Sequence, residues 1–240
     1  KDYQIIFSDT PGIIEPKYKL HEKMMDAVRG SLEDADVALL ITDVRENTDE
    51  SHAIFSSLRL KAPAIVILNK ADTVNDEQLK TTAKFFEQQP YCKQVVSLSA
   101  LKKTGIDELL KTILTYLPEG EPFYEGDDLS DMPTKFFVGE IIREKIFLLY
   151  GEEIPYHATV LVQEFKEKAT LTKISAEIIV QRETQKGIIL GGGGSMIKKL
   201  GTDARKDIET FLGRKVFLEL FVKVRPKWRD NEFQLKEYGY

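Results

Sequence analysis

Three short segments in the first half of the chain carry residue types able to recognise a guanine nucleotide. Asp9-Thr10-Pro11-Gly12 follows the apolar run 3–7. An aspartate at the C-terminal end of a strand can hold a water of a bound Mg²⁺, and a glycine there lets its N–H approach a terminal phosphate with no Cβ in the way. Asn69-Lys70-Ala71-Asp72 follows the apolar run 64–68. The carboxylate of Asp72 can accept hydrogen bonds from the N1–H and the exocyclic amine of guanine together. Adenine lacks that pair of donors, so one residue can select the base. Asn69 would tie neighbouring loops together, and the aliphatic stem of Lys70 would cover the ring. Ser99-Ala100-Leu101 ends the run 94–98, where the Ala100 N–H can meet guanine O6.

Taken singly, these segments also read as a turn, a chance tetrapeptide and the start of a helix. Their order decides between the readings, because each falls at the carboxyl end of an apolar run, and open α/β sheets bind ligands at that edge.

A second constellation lies in the other half. Ile188-Ile189-Leu190 leads into Gly191-Gly192-Gly193-Gly194, and a helical pattern begins at Ser195. A G-x-x-G turn ahead of a helix lets backbone come into contact with a sugar-phosphate chain, and the helix N-terminus favours phosphate. Ile188 and Ile189 would form a groove floor for unstacked bases. Lys198, Lys199, Arg205 and Lys206 on the helix supply positive field, as do Lys223, Arg225, Lys227 and Arg229 further on. A bare glycine run is more often a flexible loop; the helix before it and the strands around it favour the nucleic-acid reading.

The elements that must position these residues change character along the chain. Runs at 3–7, 37–41, 64–68 and 94–98 read as buried strands, alternating with amphipathic stretches at 20–35, 49–60, 76–88 and 106–116. That alternation predicts a parallel sheet flanked by helices, an α/β domain over residues 1–117. Residues 118–133 carry three prolines and an acidic run, and read as a linker. From 134 to 240 the pattern is helix (134–149), two strands (158–164, 173–181), a helix before the glycines, the glycine turn, a helix (195–212) and a strand (216–224). This is a separate α+β domain.

Charge follows the same division. Residues 134–240 hold 19 Lys and Arg against 15 Asp and Glu, a net of +4, and residues 1–133 a net of −9. Only the back half therefore suits a polyanion. No apolar run is long enough to span a bilayer, and no secretory leader pattern opens the sequence. The single cysteine, Cys92, cannot form an intramolecular disulfide and fits a reducing compartment. His21, His52 and His157 are scattered and define no protein-built metal site, and Trp228 reads as packing.

The order D-T-P-G, N-K-A-D, S-A-L resembles the later motifs of P-loop GTPases of the translation-factor-related class. With Pro16, Leu20, His21 and Met24 after the first motif, and with a tail in the order of a type II KH domain, nearly the whole chain resembles the bacterial Era family. The resemblance implies an α/β P-loop GTPase domain followed by an α+β KH domain. It implies GTP or GDP with Mg²⁺ as cofactors, the metal held through water by Asp9. Its implied partners are the 3′ region of small-subunit ribosomal RNA and the small ribosomal subunit. It further implies a cytoplasmic monomer, with association at the inner membrane surface left open.

Two departures qualify it. G-x-x-x-x-G-K-[ST] occurs nowhere in these residues, so the domain is expected to be incomplete, without its first strand and phosphate loop, and the chain to bind GTP weakly or not at all and hydrolyse none. Ile13 stands where many small GTPases carry a water-orienting glutamine, which implies slow turnover. The leading expectation is a GTPase switch joined to an RNA reader for small-subunit assembly, in which GTP orders the loop after Asp9. The alternative is a nucleotide-independent KH RNA-binding protein whose front half is a degenerate scaffold.

Overall fold

The structure, a computed structural model, describes residues 3–58, 60–124, 132–151 and 153–239. The chain forms two compact units: residues up to 124 apart from 18–20, and residues 18–20 with those after 124.

In the first unit three parallel strands, β1 (Ala38–Asp43), β2 (Ala64–Asn69) and β3 (Cys92–Ser97), lie in the order β1-β2-β3. The helices are α1 (Lys19–Glu33), α2 (Thr48–Ser57), α3 (Asp76–Glu87) and α4 (Ile106–Leu114). Residues 64–68 of β2 are all apolar and buried because both faces of the strand are covered. Val66 and Leu68 pack with Leu40, Phe55 and Phe86 on one side, while Ile65 and Ile67 pack with Val96 and Ile113 on the other. Two helices start where sequence chemistry allows it. Asn47 Oδ1 accepts from the Asp49 and Glu50 N–H groups ahead of α2, and Asn75 Oδ1 from that of Gln78 ahead of α3.

Residues 3–7, expected as a strand, form none, and this is a correction. A strand exists by its ladder to a neighbour, and no described strand runs beside this segment. Ile5 still packs on the cluster around Ile65, but Ile6 and Phe7 are more than half exposed, at 51% and 63%. The segment is tied down by a side chain instead. Gln4 Oε1 accepts from the Phe123 and Tyr124 N–H groups, and Gln4 Nε2 donates to the Tyr124 carbonyl. Of the expected linker, residues 118–124 carry no helix or strand, and residues 125–131 lie outside the described residues.

The second unit contains α5 (Thr134–Leu149), α6 (Ile154–His157), β4 (Thr159–Glu167), β5 (Thr172–Val180), α7 (Glu183–Leu190), α8 (Ser195–Leu212), β6 (Val216–Val224) and α9 (Glu232–Glu237). Its sheet runs β4-β5-β6, antiparallel between β4 and β5 and parallel between β5 and β6. Ile174, Ala176 and Ile178 alternate inward along β5 and meet two helical stripes, Val138, Ile142 and Ile146 on α5 and Leu200, Ala204 and Ile208 on α8. Spacings of four residues put each stripe on one helix face. The element order helix, strand, strand, helix, glycine turn, helix, strand is the one the sequence predicts. Trp228 is buried, edge-on to Tyr238, so it serves packing.

Candidate guanine-nucleotide and RNA sites

β2 and β3 end side by side, which brings two of the three guanine-type segments together. Asn69 closes β2 half-buried, and its Oδ1 accepts from the Lys70 N–H at 2.8 Å and from the Ala100 N–H at 3.1 Å. The Ala71 N–H donates to the Leu98 carbonyl at 3.0 Å, a second stitch between the same loops. Asn69 thus ties the loops as its chemistry suggests. The Ala100 N–H, expected to meet guanine O6, is the donor in this tie, so a guanine carbonyl would share it with Asn69 or displace the amide.

Ser99 is buried, exchanges backbone hydrogen bonds with Thr104, and accepts from the Lys102 N–H through its hydroxyl. That closes a tight loop presenting Ala100 and Leu101, the latter 84% exposed. Lys70 adopts a left-handed backbone, φ 60°, and its ammonium pairs with Asp43 at the end of β1, 2.9 Å away. Asp72 follows in a short 3₁₀ turn, exposed and able to receive a base edge.

The remaining segment, Asp9, Thr10, Pro11 and Gly12, has no regular structure, and Asp9 and Gly12 are exposed. The residues present therefore fit the base-recognition end of a guanine nucleotide. For Mg²⁺, the described residues hold no cluster of three or more His, Cys, Asp or Glu side chains. A metal held by Asp9 through water would take its other ligands from the nucleotide phosphates and solvent.

The glycine turn of the second unit is built more firmly. Gly191 sits at φ 68°, ψ 173°, a region that residues with a Cβ avoid. A Cβ there would lie 2.6 Å from Met196 Cγ and 3.0 Å from the Met196 nitrogen. A Cβ on Gly192, Gly193 or Gly194 would meet nothing within 4 Å, so their backbones face open space. Gly194, at φ 77°, precedes α8 without a side-chain cap; the Ser195 N–H donates to the Gly192 carbonyl, and the N–H groups that follow it in the first turn have no capping side chain, which favours an anion there. Ahead of the turn, the Tyr150 hydroxyl donates to the Ile189 carbonyl at 2.8 Å; burial pushes that phenol up to about 12.

A groove of about 340 Å³ runs from the start of α8 to the open edge of β6, lined by Ile197, Lys198, Gly201, Thr202, Arg205, Phe217, Leu218 and Leu220. Lys198 and Arg205 both line this groove, and Lys199 is exposed on the same helix. The expected groove floor is corrected. Ile189 is fully buried in the core, and Ile188, although exposed, does not line the groove. Adjacent helical positions point about 100° apart, and on α7 that step turns Ile189 into the core while Ile188 stays at the surface. Ile197, Leu218 and Leu220 form the floor instead. Of these, Ile197 lies in the first turn of α8, close in sequence to the glycine turn; the β6 residues depend on a pairing across some forty residues. Of the C-terminal basic residues, Lys223 is paired with Glu177.

An α/β unit with guanine-type loops on its sheet edge, followed by an α+β unit with a glycine turn and an apolar, basic-rimmed groove, defines a GTP-binding domain joined to a KH domain. Sequence comparison agrees: residues 1–119 match the elongation factor Tu GTP-binding domain and residues 153–229 the KH domain. The chain belongs to the Era family of GTPases. It is 40% identical to GTPase Era of Geotalea uraniireducens, over 99% of this chain and 81% of that protein. It is 42% identical to GTPase Era of Thermosipho melanesiensis, over 97% and 79%. Two solved structures superpose with a TM-score of 0.92 at 39% identity, over 97% of this chain and 80% of each of theirs. One is an Aquifex aeolicus Era variant bound to GDP and AlF4⁻; the other is Era with MgGDPNP and nucleotides 1506–1542 of 16S ribosomal RNA. No helix among the described residues is long and apolar enough to cross a membrane.

Proposed function

We infer that this protein is a guanine-nucleotide-binding, RNA-binding factor of small-subunit assembly, a GTPase whose second unit takes a single-stranded segment of 16S ribosomal RNA. The observation that carries this reading is the groove between α8 and β6. It offers uncapped helix N–H groups and side-chain-free glycines to phosphates, apolar floor residues to bases, and Lys198 and Arg205 to the backbone charge. A structural neighbour holding 16S nucleotides on the same fold supports the choice of RNA.

In the first unit, Asp72 would read the guanine edge, Lys70 would cover the ring, and Asn69 with Ala100 would hold the loops that flank it. Bound GTP with Mg²⁺ would supply the phosphoanhydride to be cleaved, and Asp9 would hold a water on that metal. Gly12 would lend its N–H to the terminal phosphate. The lone half-buried cysteine and the bacterial relatives support action in the cytoplasm.

The test is the double variant Gly192→Asp, Gly193→Asp, titrated with a single-stranded RNA corresponding to the 3′ end of 16S ribosomal RNA. RNA affinity falls at least about tenfold, because two carboxylates then sit against the phosphates, while the fold persists. Unchanged affinity removes the assignment.

A further inference from the structure

Beside the Asn69–Asp72 segment, Lys70 joins a charged pair, Asp43 and Arg45, that belongs to none of the three recognition segments. Asp43 ends β1 directly opposite Asn69 of β2. Its side chain is only 12% exposed and collects four charge-assisted or backbone contacts. The Arg45 N–H and Nε donate to Oδ1 at 3.0 and 2.9 Å, Arg45 Nη2 donates to Oδ2 at 2.6 Å, and Lys70 Nζ lies 2.9 Å from Oδ2. Arg45 and Lys70 together hold the Asp43 carboxyl well below the usual carboxylate range. Arg45 in turn is held charged chiefly by Asp43, and also by the more distant charge of Asp72. Two cations are therefore gathered on the one carboxylate of Asp43 where β1 and β2 end, and one of them, Lys70, belongs to the Asn69–Asp72 segment.

A lysine that covers a base must present its stem in one conformation, and a free lysine has the most rotamer freedom to lose. Here the left-handed backbone of Lys70 fixes where the stem begins, and Asp43 fixes where it ends. We propose that Asp43 is a positioning residue of the guanine site: it anchors the Lys70 ammonium across the β1–β2 edge, so that the stem stands ready to cover the base. Arg45, bidentate on the same carboxylate, keeps Asp43 from swinging towards solvent. Asp43 touches no nucleotide in this account; it acts through Lys70. The proposal rests on the guanine reading given above.

The experiment is a double-mutant cycle on the full chain, read by amide chemical shifts as GDP is raised to about 10 mM, a range that resolves weak binding. ADP is the control. In the unaltered chain GDP, and not ADP, moves the amides of residues 69–72 and 99–101. Asp43→Asn weakens GDP about tenfold. In a Lys70→Ala background, where there is no ammonium to place, Asp43→Asn costs nothing further. Lys70→Met, which keeps an apolar stem without the anchored charge, loses as much as Asp43→Asn and tests the same link should Asp43→Asn unfold. Equal GDP affinity with Asp43→Asn or with Lys70→Met overturns the proposal. So does a loss that persists undiminished in the Lys70→Ala background, which marks Asp43 as merely structural. If the unaltered chain shows no GDP-selective shift at those loops, the guanine reading itself fails, and the proposal with it.

Discussion

Replacing Gly191 by alanine should be far more damaging than the same change one residue later, and the structure sets the size of the difference. Gly191 occupies φ 68°, ψ 173°, where a residue with a Cβ costs on the order of 1–3 kcal/mol. Its new Cβ would also stand 2.6 Å from Met196 Cγ, 2.8 Å from Met196 Cβ and 3.0 Å from the Met196 nitrogen. Two of those atoms lie at or next to the α8 backbone, so no rotamer of Met196 relieves the overlap. The first turn of α8 has to move, at roughly another 1–3 kcal/mol. Gly191→Ala should therefore destabilise the second unit by about 2–6 kcal/mol, a large share of the ~5–15 kcal/mol such a domain has. Gly192 has open space around it, so Gly192→Ala should stay within about 0.5 kcal/mol of the original.

The assay is urea unfolding followed by tryptophan fluorescence. Trp228, the one tryptophan of the sequence, is buried in the second unit, so its signal reports that unit. With a slope of about 1–1.5 kcal/mol per molar urea, the Gly191→Ala midpoint should fall by about 1.3 M or more. Midpoints for the two variants within about 0.3 M of each other would refute the reasoning.

Two further outcomes follow from charges in the second unit. His157 is held below its ordinary value chiefly by burial, and also by the charges of Arg229 and Arg182. A histidine depressed in the folded state binds its proton more readily when unfolded, so stability is full above the ordinary histidine value and falls as pH drops below about 6.5. The tryptophan-detected midpoint should decline from pH 7 to 5.5, and His157→Gln should flatten that decline; an unchanged slope contradicts it. Lys198 and Arg205 line the groove, so removing either should lower the salt dependence of RNA binding by about 0.7 in log–log slope. A slope equal to that of the unaltered chain would place the RNA elsewhere.

Local chemistry was legible and long-range pairing was not. Asn69, Lys70 and Asp72 could be placed at a strand end because 64–68 is an uninterrupted apolar run, and β2 is that strand. The glycine turn and the helix after it were likewise legible, since both are set by residues within a few positions of each other. Residues 3–7 have the composition of a strand, yet composition cannot supply the neighbour whose hydrogen bonds make one. Ile189 reads as part of a binding surface because it leads into the glycine turn; the helical period carries it into the core. Phe217, Leu218 and Leu220 line the groove only because β6 pairs with β5 in parallel, with Thr172 opposite Val216. The partnership of Asp43 with Lys70 is hidden for the same reason, depending on the register of two strands separated by a helix.

The central claim is that the α8–β6 groove and its glycine turn hold single-stranded RNA. The most direct measurement is an amide-shift titration of the full chain and of its Gly192→Asp, Gly193→Asp variant with the 3′-end 16S sequence. The account predicts shifts concentrated at residues 191–205 and 216–220 in the original, and affinity lower by at least about tenfold in a variant that keeps its spectrum elsewhere. Shifts centred outside the groove, or equal affinity in the two proteins, would contradict it.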